Sequence, residues 1–369
     1  MQKTNLKGLT RGQLADFALS IGEKKYRGKQ LFDWLYTKEA GSFADMTSLS
    51  KQLRETLGAR ARIDALVQNE ASRSAHDGTT KFLFELADGK RIETVLIPPR
   101  TAFVSGSPDD GQRRLTVCVS TQVGCPLDCR FCATASMGFL RNLTAGEIVD
   151  QVLQVKRAAE RRITNVVFMG MGEPLMNYEQ VVNAVEILST GLKIAARHIT
   201  ISTAGWVPGI RRLADDECGA KLAVSLHSLD NSVRAGLMPV AKKYPLDALI
   251  DAVRYYYRAT KTRVTFEYIL FDRRNDRDED LERLVRLSRQ VPCKVNIIPF
   301  HSISFTGAEG AAELRPTPRP RMDDFIRGLR DANVTVFTRS SSGEDIFAAC
   351  GQLAVAKPTS TPINHAVHA

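Results

Sequence analysis

Three cysteines lie within eight residues, at Cys125, Cys129 and Cys132, in the spacing C-x3-C-x2-C. Thiolates at such short spacing bind zinc or an iron–sulfur cluster. A closed tetrahedral site needs a fourth ligand, and this run does not contain one. Three thiolates can instead hold three irons of a [4Fe–4S] cluster and leave one iron open for an exogenous ligand. On spacing alone, a zinc site that recruits a distant Cys or His is the alternative.

Two local signals predict that these cysteines lie on a loop between a strand and a helix. An alternating apolar run over 115–119 precedes them and predicts a β-strand. Thr144 and Glu147 follow them in a capping-box pattern, which predicts the start of a helix. Barrels of alternating strands and helices carry their chemistry on such loops.

Composition and charge narrow the class of protein. The 369 residues are 43% hydrophobic and 25% charged, as in ordinary globular proteins. The sequence has no apolar run of membrane-spanning length and no apolar signal core near Met1, so we expect a cytoplasmic protein without a membrane partner. Seven cysteines, three of them crowded, suit a reducing compartment. The net charge of +10 favours an acidic partner such as nucleic acid, although charge alone is a weak signal.

Helical spacing of apolar residues predicts a small helical domain over 1–75, and we expect this domain to bind RNA. Its basic run, 24–29, contains Tyr26 and lies between the first two helices. A contact with RNA phosphates is one interpretation of this run, and a solvated polar link is the other. The helices are predicted near 11–21, 27–38 and 49–57.

A β-hairpin linker is predicted over 76–110, because alternating apolar residues flank the turn Asp88-Gly89. Glu93 lies on its second strand. The polar stretch 105–114 predicts a loop that leads into the next domain.

From residue 115 the pattern changes to strand and helix in alternation, which predicts an α/β fold with a parallel sheet. Six such units over 111–345 suit an open, partial (βα)6 barrel, and a doubly wound sheet is the alternative from the pattern. A last strand over 333–338 leads to the segment 346–369, whose tail from Lys357 has the composition of a disordered chain. Strands are predicted near 115–120, 164–169, 198–202, 221–226, 263–270 and 294–299, and helices near 144–160, 178–189, 207–214, 246–259, 277–290 and 321–332.

Polar residues follow several of these predicted strands, where a parallel barrel gathers its ligands. Gly172 and Glu173 end the second strand, and a carboxylate beside glycines can accept hydrogen bonds from an ammonium group. The structural alternatives are a simple turn for the glycines, a helix cap for Ser202 and a hydrogen-bonded structural role for His227. The candidate ligand-binding residues at the strand ends are Gly172, Glu173, Ser202, Ser225, Leu226, His227 and His301.

The cysteine motif, with Phe131 before its last cysteine, resembles that of the radical S-adenosylmethionine (SAM) superfamily. Within that superfamily the chain is similar to the RlmN/Cfr family of RNA methyltransferases. The resemblance extends from the hairpin almost to the C-terminus, and the helical N-terminal domain also looks like the family's. The matching segments are 92–95, 119–125, 138–143, 170–175, 225–227 and 348–353.

This resemblance implies a [4Fe–4S] cluster on Cys125, Cys129 and Cys132 whose open iron binds SAM. An electron from the cluster cleaves SAM to a 5′-deoxyadenosyl radical, and the strand-end residues hold SAM. It also implies that Cys350 first accepts a methyl group and carries it to the base as a radical. Cys118 then resolves the protein–RNA adduct by forming a disulfide with Cys350.

Further implications concern the proton acceptor and the partners. Glu93 matches the position of the proton acceptor. Family membership implies methylation of adenine C2 in 23S rRNA near the peptidyl transferase centre, and of the tRNA adenine beside the anticodon. It further implies a flavodoxin-like or other electron donor and a monomeric enzyme.

Two other functions stay open on the sequence. One is the family's C8 methylation of adenine, which uses the same chemistry on another ring carbon. The other is a non-catalytic RNA-binding assembly factor with a structural metal. The family has Asn where this chain has His301, so this SAM contact is a departure from the pattern. Cys218 and Cys293 match no catalytic cysteine and are expected to be inert.

Overall fold

A ten-stranded sheet organises the computed structural model, which describes residues 3–99, 114–159, 161–307, 313–338 and 342–355. The order across the sheet is β14-β13-β12-β11-β10-β9-β6-β5-β4-β3 in the following numbering. The strands are β1 (Thr4–Asn5), β2 (Ala61–Arg62), β3 (Val67–Arg73), β4 (Thr80–Glu85), β5 (Arg91–Ile97), β6 (Thr116–Cys118), β7 (Gln122–Gly124), β8 (Phe139–Asn142), β9 (Asn165–Phe168), β10 (Ile199–Thr203), β11 (Lys221–Ser225), β12 (Val264–Leu270), β13 (Cys293–Pro299) and β14 (Val336–Thr338).

The parallel part of the sheet follows chain order without a reversal. Strand β6 pairs with β9, and each later strand pairs in parallel with the one before it. Because parallel crossovers are right-handed, this order puts the connecting helices on one face and curls the sheet into an open barrel. A doubly wound sheet reverses its order at a switch point. The partial-barrel prediction is therefore confirmed, and the doubly wound alternative is wrong.

Helices connect the parallel strands, and two short ones were not predicted. These are α7 and α8, too short to show a clear apolar period. None of the helices in the described ranges is both long enough and apolar enough to cross a membrane. The helices are α1 (Arg11–Ser20), α2 (Arg27–Phe32), α3 (Lys51–Arg60), α4 (Ala145–Ala158), α5 (Tyr178–Thr190), α6 (Val207–Asp215), α7 (Asn231–Leu237), α8 (Val240–Lys243), α9 (Leu246–Thr260), α10 (Asp278–Gln290) and α11 (Arg319–Asp331).

The two faces of the parallel strands differ in chemistry. On β10, Ile199 and Ile201 are fully buried, whereas the alternate residues Thr200 and Ser202 are only half-buried. Successive side chains of a strand point to opposite faces, so the apolar set packs in the core and the polar set faces the barrel interior. The register pairs interior residues across the strands, as in Ser225 with Glu267. The barrel interior is thus lined partly by polar groups that can bind a ligand.

An antiparallel extension joins this barrel to the N-terminal part of the chain. The predicted hairpin is present as β4 and β5, and β5 pairs with β6 so that the sheet is continuous. Strand β3 adds a third antiparallel strand, although the sequence had assigned it to the helical domain. Strand β14 begins at Val336, later than the predicted 333. The boundaries of the four predicted domains stay predictions. Most of the predicted loop 105–114 and the tail from Lys357 lie outside the described residues.

The N-terminal helices dock on α4 through a contact between glycines. A Cβ atom at Gly8 would lie 2.3 Å from the backbone nitrogen of Gly146, so both positions require glycine. Beside this contact, the Nζ atom of Lys7 lies 2.8 Å from the Asp150 carboxylate, and both side chains are buried. The Tyr36 hydroxyl also accepts a hydrogen bond from the Gly8 N–H at 2.7 Å. The glycine contact and the ion pair hold the N-terminal domain against the barrel, and the Tyr36 hydrogen bond fixes Gly8 within that domain.

Candidate active site

The three clustered cysteines lie on a loop whose start is fixed by the short antiparallel pair β7 and β8. The N–H of Cys125 donates to the Gly138 carbonyl at 2.9 Å and closes this loop. At Gly124, φ is +74° and a Cβ atom would meet that same carbonyl oxygen at 1.7 Å, so only glycine fits. The strand-to-helix loop predicted from the sequence is therefore present, with the β7–β8 pair as an unpredicted support.

Cys125, Cys129 and Cys132 all line one cavity of about 140 Å³ at the carboxyl end of the barrel strands. Burial raises the pKa of the Cys125 thiol to about 12, and it raises that of Cys129 well above the usual value. Metal binding at such thiols displaces their protons. In the described ranges, no three His, Cys, Asp or Glu side chains lie close enough to bind one metal ion. Cluster ligands each bind a different iron and need only share a cavity, so the three thiols fit a [4Fe–4S] cluster.

Glu173 is buried in the loop that follows β9, and it connects this loop to the end of β10. Its Oε2 atom accepts a hydrogen bond from the Ala204 N–H at 2.8 Å, and Oε1 accepts one from the Leu175 N–H at 3.1 Å. Burial raises the pKa of Glu173 to about 7 despite these hydrogen bonds. The preceding Gly172 has φ +102°, and a Cβ atom there would lie 2.6 Å from the Cβ atom of Gln122. Both predicted residues line the cavity.

Ser202, Ser225 and His227 line the same cavity, as the predicted strand-end positions require. The Nδ1 atom of His227 accepts a hydrogen bond from the Ile269 N–H at 3.0 Å. Burial, and then the charge of Arg234, lower the pKa of His227 to about 3. The imidazole is therefore neutral and its proton lies on Nε2, where it can serve as a hydrogen-bond donor.

Leu226 and His301 differ from the other predicted SAM contacts because neither residue lines the cavity. Leu226 is fully buried in the core, and its carbonyl accepts a hydrogen bond from Nε of Arg234 at 3.1 Å. His301 is outside the set of residues that line the cavity. Its Nδ1 atom lies 3.1 Å from the Glu344 carboxylate, so in this state it contacts the segment 342–355. The roles of both residues in SAM binding stay predictions.

Cys350 lies in the cavity wall beside the cluster loop. It lines the cavity together with Gly351, and its side chain is exposed to solvent. The Ala133 N–H donates to the Gly351 carbonyl at 2.6 Å, and the Thr134 hydroxyl donates to the Leu353 carbonyl at 2.7 Å. The structure therefore brings a fourth thiol into the wall of the cavity that the three predicted cluster ligands line, as the sequence resemblance requires.

Cys118 and Glu93 lie on the inner face of the sheet, outside the cavity wall. The β-sheet register pairs Cys118 with Val167 of β9, and Val167 with Thr200 of β10, so the Cys118 side chain is on the barrel-facing side of the sheet. Cys118 is buried, and no disulfide joins any of the seven cysteines, all of which lie within the described residues. The predicted disulfide between Cys118 and Cys350 is thus not formed in this state.

The C-terminal segment is attached to the sheet by Glu93. Its Oε2 atom accepts a hydrogen bond from the Ala354 N–H at 3.0 Å, and its Oε1 atom lies 3.1 Å from Nζ of Lys81. Lys81 also donates to the Phe347 carbonyl at 3.2 Å. The sequence analysis missed Lys81, although a lysine in the apolar alternation of β4 is a signal of a buried ion pair. The sequence analysis also missed Arg234. A charged residue between the apolar residues Val233 and Leu237 is the pattern that could have indicated it.

Comparisons with known proteins agree with this geometry. A family model described as the Radical SAM superfamily matches residues 119–286, and a model described as the ribosomal RNA large subunit methyltransferase N-terminal domain matches residues 4–63. The dual-specificity RNA methyltransferase RlmN of Pelobacter propionicus is 43% identical over 354 residues, which is 95% of this chain and 96% of that protein. The protein of the same name from Geobacter sulfurreducens is 44% identical over 351 residues, 95% of this chain and 91% of that protein. The crystal structure of a radical SAM methyltransferase from Sphaerobacter thermophilus superposes with a TM-score of 0.83 at 42% identity, covering 95% of this chain and 99% of that one.

Proposed function

The chain belongs to the RlmN family of dual-specificity RNA methyltransferases within the radical SAM superfamily, and from this membership we propose its reaction. It methylates C2 of an adenine in 23S rRNA near the peptidyl transferase centre and C2 of the tRNA adenine beside the anticodon. The match to relatives named for dual specificity favours this reaction over C8 methylation. Membership in a family of enzymes leaves no support for the non-catalytic assembly factor.

The cofactors of this reaction are a [4Fe–4S] cluster and SAM. Cys125, Cys129 and Cys132 would hold the cluster, and Glu173 would accept hydrogen bonds from the SAM amino group. When bound, the two supply a methyl group and a 5′-deoxyadenosyl radical. Such a radical is needed because C2 of adenine is an electron-poor carbon and does not attack the SAM methyl group as a nucleophile.

Cys350 carries the methyl group, and the observation that supports this role is its place in the same cavity wall as the three cluster cysteines. Its thiolate would attack the methyl carbon of SAM, with S-adenosylhomocysteine as the leaving group, and the Cys350 sulfur would become a thioether. The thioether methyl group would give a hydrogen atom to the 5′-deoxyadenosyl radical, which leaves as 5′-deoxyadenosine, and the resulting carbon-centred radical would add to C2 of adenine. Cys350 is then bound covalently to the RNA through a methylene group.

Cys118 and Glu93 complete the turnover in this proposal. Glu93 takes the proton from C2 once the adduct has formed, and the unpaired electron of the adduct would return to the oxidised cluster. The Cys118 thiolate attacks the sulfur of Cys350, forms a disulfide with it and breaks the bond between sulfur and the methylene carbon. The released carbon is protonated to the new methyl group, and reduction of the disulfide resets the enzyme. Cys118 is buried on β6, the strand next to the β5 strand that carries Glu93. The segment 342–355, which carries Cys350, must therefore approach β6 during this step.

Substitution of the two cysteines tests this order of events. A Cys350→Ala enzyme should keep its iron but form neither methylated cysteine nor methylated RNA. A Cys118→Ala enzyme should methylate Cys350 and stall as a protein–RNA adduct that survives denaturing electrophoresis and disappears on nuclease digestion. Cys293→Ala is the matched control and should turn over normally, because Cys293 lies at the start of β13, outside the cavity. Normal turnover by Cys118→Ala, or an adduct on Cys350→Ala, would contradict the assigned roles.

The partners follow from the same proposal. An external carrier such as a flavodoxin-like protein supplies electrons, and the exposed loop residues Asp128 and Arg130 offer it a path of approach to the cluster. The cavity walls all come from one chain, which suits a monomer. The RNA substrates are cytoplasmic, so we assign the protein to that compartment. Two of these assignments, the electron donor and the monomeric state, are tested by RNA methylation with the purified monomer. The reaction should proceed with reduced flavodoxin and should not proceed with oxidised flavodoxin.

A further inference from the structure

Arg234 of α7 is completely buried although it carries a charged side chain. Its Nε atom donates to the carbonyl of Leu226 at 3.1 Å. Its Nη2 atom donates to the carbonyls of Ala204 at 2.8 Å and Ser225 at 3.2 Å. Within the described residues, its Nη1 atom has no hydrogen-bond partner. The guanidinium group therefore ties together the ends of β10 and β11 and retains one unused donor.

The hydrogen bonds of Arg234 described above all go to backbone carbonyls. No acidic side chain among these partners balances the charge of the guanidinium group. Backbone carbonyls are neutral, and an unpaired charge in a protein interior is strongly unfavourable. Cys129 packs against the same apolar cluster as Val233 and Leu237, which lie on either side of Arg234 in α7. Burial lowers the pKa of Arg234 to about 10, and the charge of Cys129 acts in the opposite direction. Cys129 is one of the three predicted cluster ligands and is a thiolate when metal is bound. The negative charge near Arg234 thus belongs to the cluster site.

A second set of contacts connects Arg234 to the cluster loop and to the SAM site. The carbonyl of Leu237, in the same helix α7, accepts a hydrogen bond from the Arg130 N–H of the cluster loop at 3.0 Å. Ala204, whose carbonyl binds Arg234, donates its own N–H to Glu173 at 2.8 Å. A Cβ atom at Gly205 would lie 2.9 Å from Nη2, so the backbone packs directly against the guanidinium group. The arginine is therefore held in place between the two halves of the site.

We propose that Arg234 is the buried counter-ion of the iron–sulfur cluster and a positioning residue for the strand ends that hold SAM. This inference rests on the proposed function, because it requires the cluster. A thiolate-ligated cluster carries net negative charge, and reduction adds one more negative charge. A fixed positive charge beside it stabilises the reduced form and raises the reduction potential, as charges and hydrogen bonds around such clusters do. Arg234 thereby makes the electron that starts the reaction easier to accept.

Redox titration of the holoenzyme, followed by electron paramagnetic resonance without SAM or RNA, tests the electrostatic part. Arg234→Met removes the charge but keeps an apolar stem of similar length. It should lower the equilibrium constant for reduction at least about tenfold, which is a fall of about 59 mV in the midpoint potential. Arg234→Lys keeps the charge while losing the planar fork, and it should keep most of the potential. Arg286→Met, at an exposed position of α10, is the control and should leave the potential unchanged.

The comparison of Met with Lys separates electrostatics from structural support. A wild-type potential in Arg234→Met with an intact cluster would overturn the proposal, and so would equal losses in Arg234→Met and Arg234→Lys. If Arg234→Met does not fold, Arg234→Gln takes its place as the neutral variant. Wild-type protein purified without oxygen that holds no iron and sulfide would instead contradict the proposed function. The two failures are therefore distinguishable.

Discussion

The carboxylate of Glu93 and the backbone N–H of Ala354 form a hydrogen bond of 3.0 Å across 261 residues of sequence. Glu93 belongs to β5, and Ala354 follows Cys350 by four residues. The same carboxylate is paired with Lys81. A buried ion pair on the sheet therefore anchors the segment that carries the candidate methyl-carrying cysteine, and the candidate proton acceptor is itself part of this anchor.

Glu93→Ala should loosen the C-terminal segment. The substitution leaves the Ala354 N–H and the Lys81 ammonium without a partner, and the loss of a charged, buried hydrogen bond costs about 1–3 kcal/mol. Hydrogen exchange over 342–355 should become faster, and so should alkylation of Cys350. The control is Glu85→Ala, since Glu85 is in the same hairpin but pairs with Arg91 at the surface. Unchanged exchange in Glu93→Ala would mean that other contacts hold the segment.

Glu173 should make the stability of the protein depend on pH. Burial raises the pKa of Glu173 to about 7, above its usual value of 4.5, so the folded protein binds this proton more tightly than the unfolded chain. The associated stability is fully present below about pH 4.5 and is lost as the pH rises through about 7. Since one pKa unit corresponds to about 1.4 kcal/mol, the loss is roughly 3 kcal/mol.

Denaturant unfolding of the wild type and of Glu173→Gln between acidic and alkaline pH measures this effect. The free energy of unfolding of the wild type should fall relative to the variant as the pH rises from 5 to 8. SAM binding to the cluster-loaded wild type should tighten over the same range, because the ionised carboxylate is the better acceptor for an ammonium group. Parallel stability curves for the two proteins would show that the carboxyl group is already ionised at pH 5.

Gly146→Ala should separate the N-terminal domain from the barrel. A Cβ atom at this position would lie 2.3 Å from the Lys7 carbonyl oxygen, and this backbone atom cannot move without shifting the domain. Overpacking of this kind costs about 1–3 kcal/mol. Gly58→Ala is a matched control, since Gly58 is also helical but a Cβ atom there meets nothing within 4 Å. It should stabilise the protein by about 0.5–1 kcal/mol through helix propensity.

Thermal unfolding distinguishes these two glycine substitutions. Opposite shifts of the Tm are expected, down for Gly146→Ala and up for Gly58→Ala. Equal shifts would mean that the glycine contact with the N-terminal domain is looser than the structure indicates.

RNA affinity should depend on the basic run 24–29, which covers the link after α1 and the start of α2. Lys24, Lys25 and Lys29 are exposed, and Tyr26 between them is 54% exposed. Each phosphate contact contributes about 0.7–0.9 to the slope of log affinity against log salt. The triple change of these lysines to Gln should therefore reduce that slope by about 2, measured with an anticodon stem-loop RNA. Arg330→Gln, at an exposed position of α11, should not change it. An unchanged slope for the triple variant would favour the solvated-link interpretation.

Local signals account for much of what the sequence predicted correctly. The capping box at Thr144 is present as a hydrogen-bonded cap, because it involves residues three apart. The parallel strands were readable because strands buried in a sheet are nearly continuous apolar runs. The spacing of the cysteines predicted one shared cavity, and all three line it.

What the sequence could not predict depends on contacts between distant residues. The anchor of Ala354 on Glu93 and Lys81, and the docking of Gly8 on Gly146, join positions with no common local pattern. Strand β3 has too few apolar residues to distinguish it from a helical or coil segment, because most of its residues are exposed. His301 was expected at the SAM site from resemblance alone, and its observed contact is with Glu344.

The attachment of the segment 342–355 across the barrel has a consequence for biosynthesis. This segment leaves the ribosome after every strand of the sheet, yet it supplies a wall of the catalytic cavity. Until it docks, the loop with Cys125, Cys129 and Cys132 borders an open barrel that iron-delivery proteins can reach. Contacts over such long sequence separation also form late, since the entropy of closing a long loop must be overcome first. Translation order therefore favours cofactor loading before the cavity closes, and a nascent chain that ends before Cys350 lacks the candidate methyl-carrying thiol.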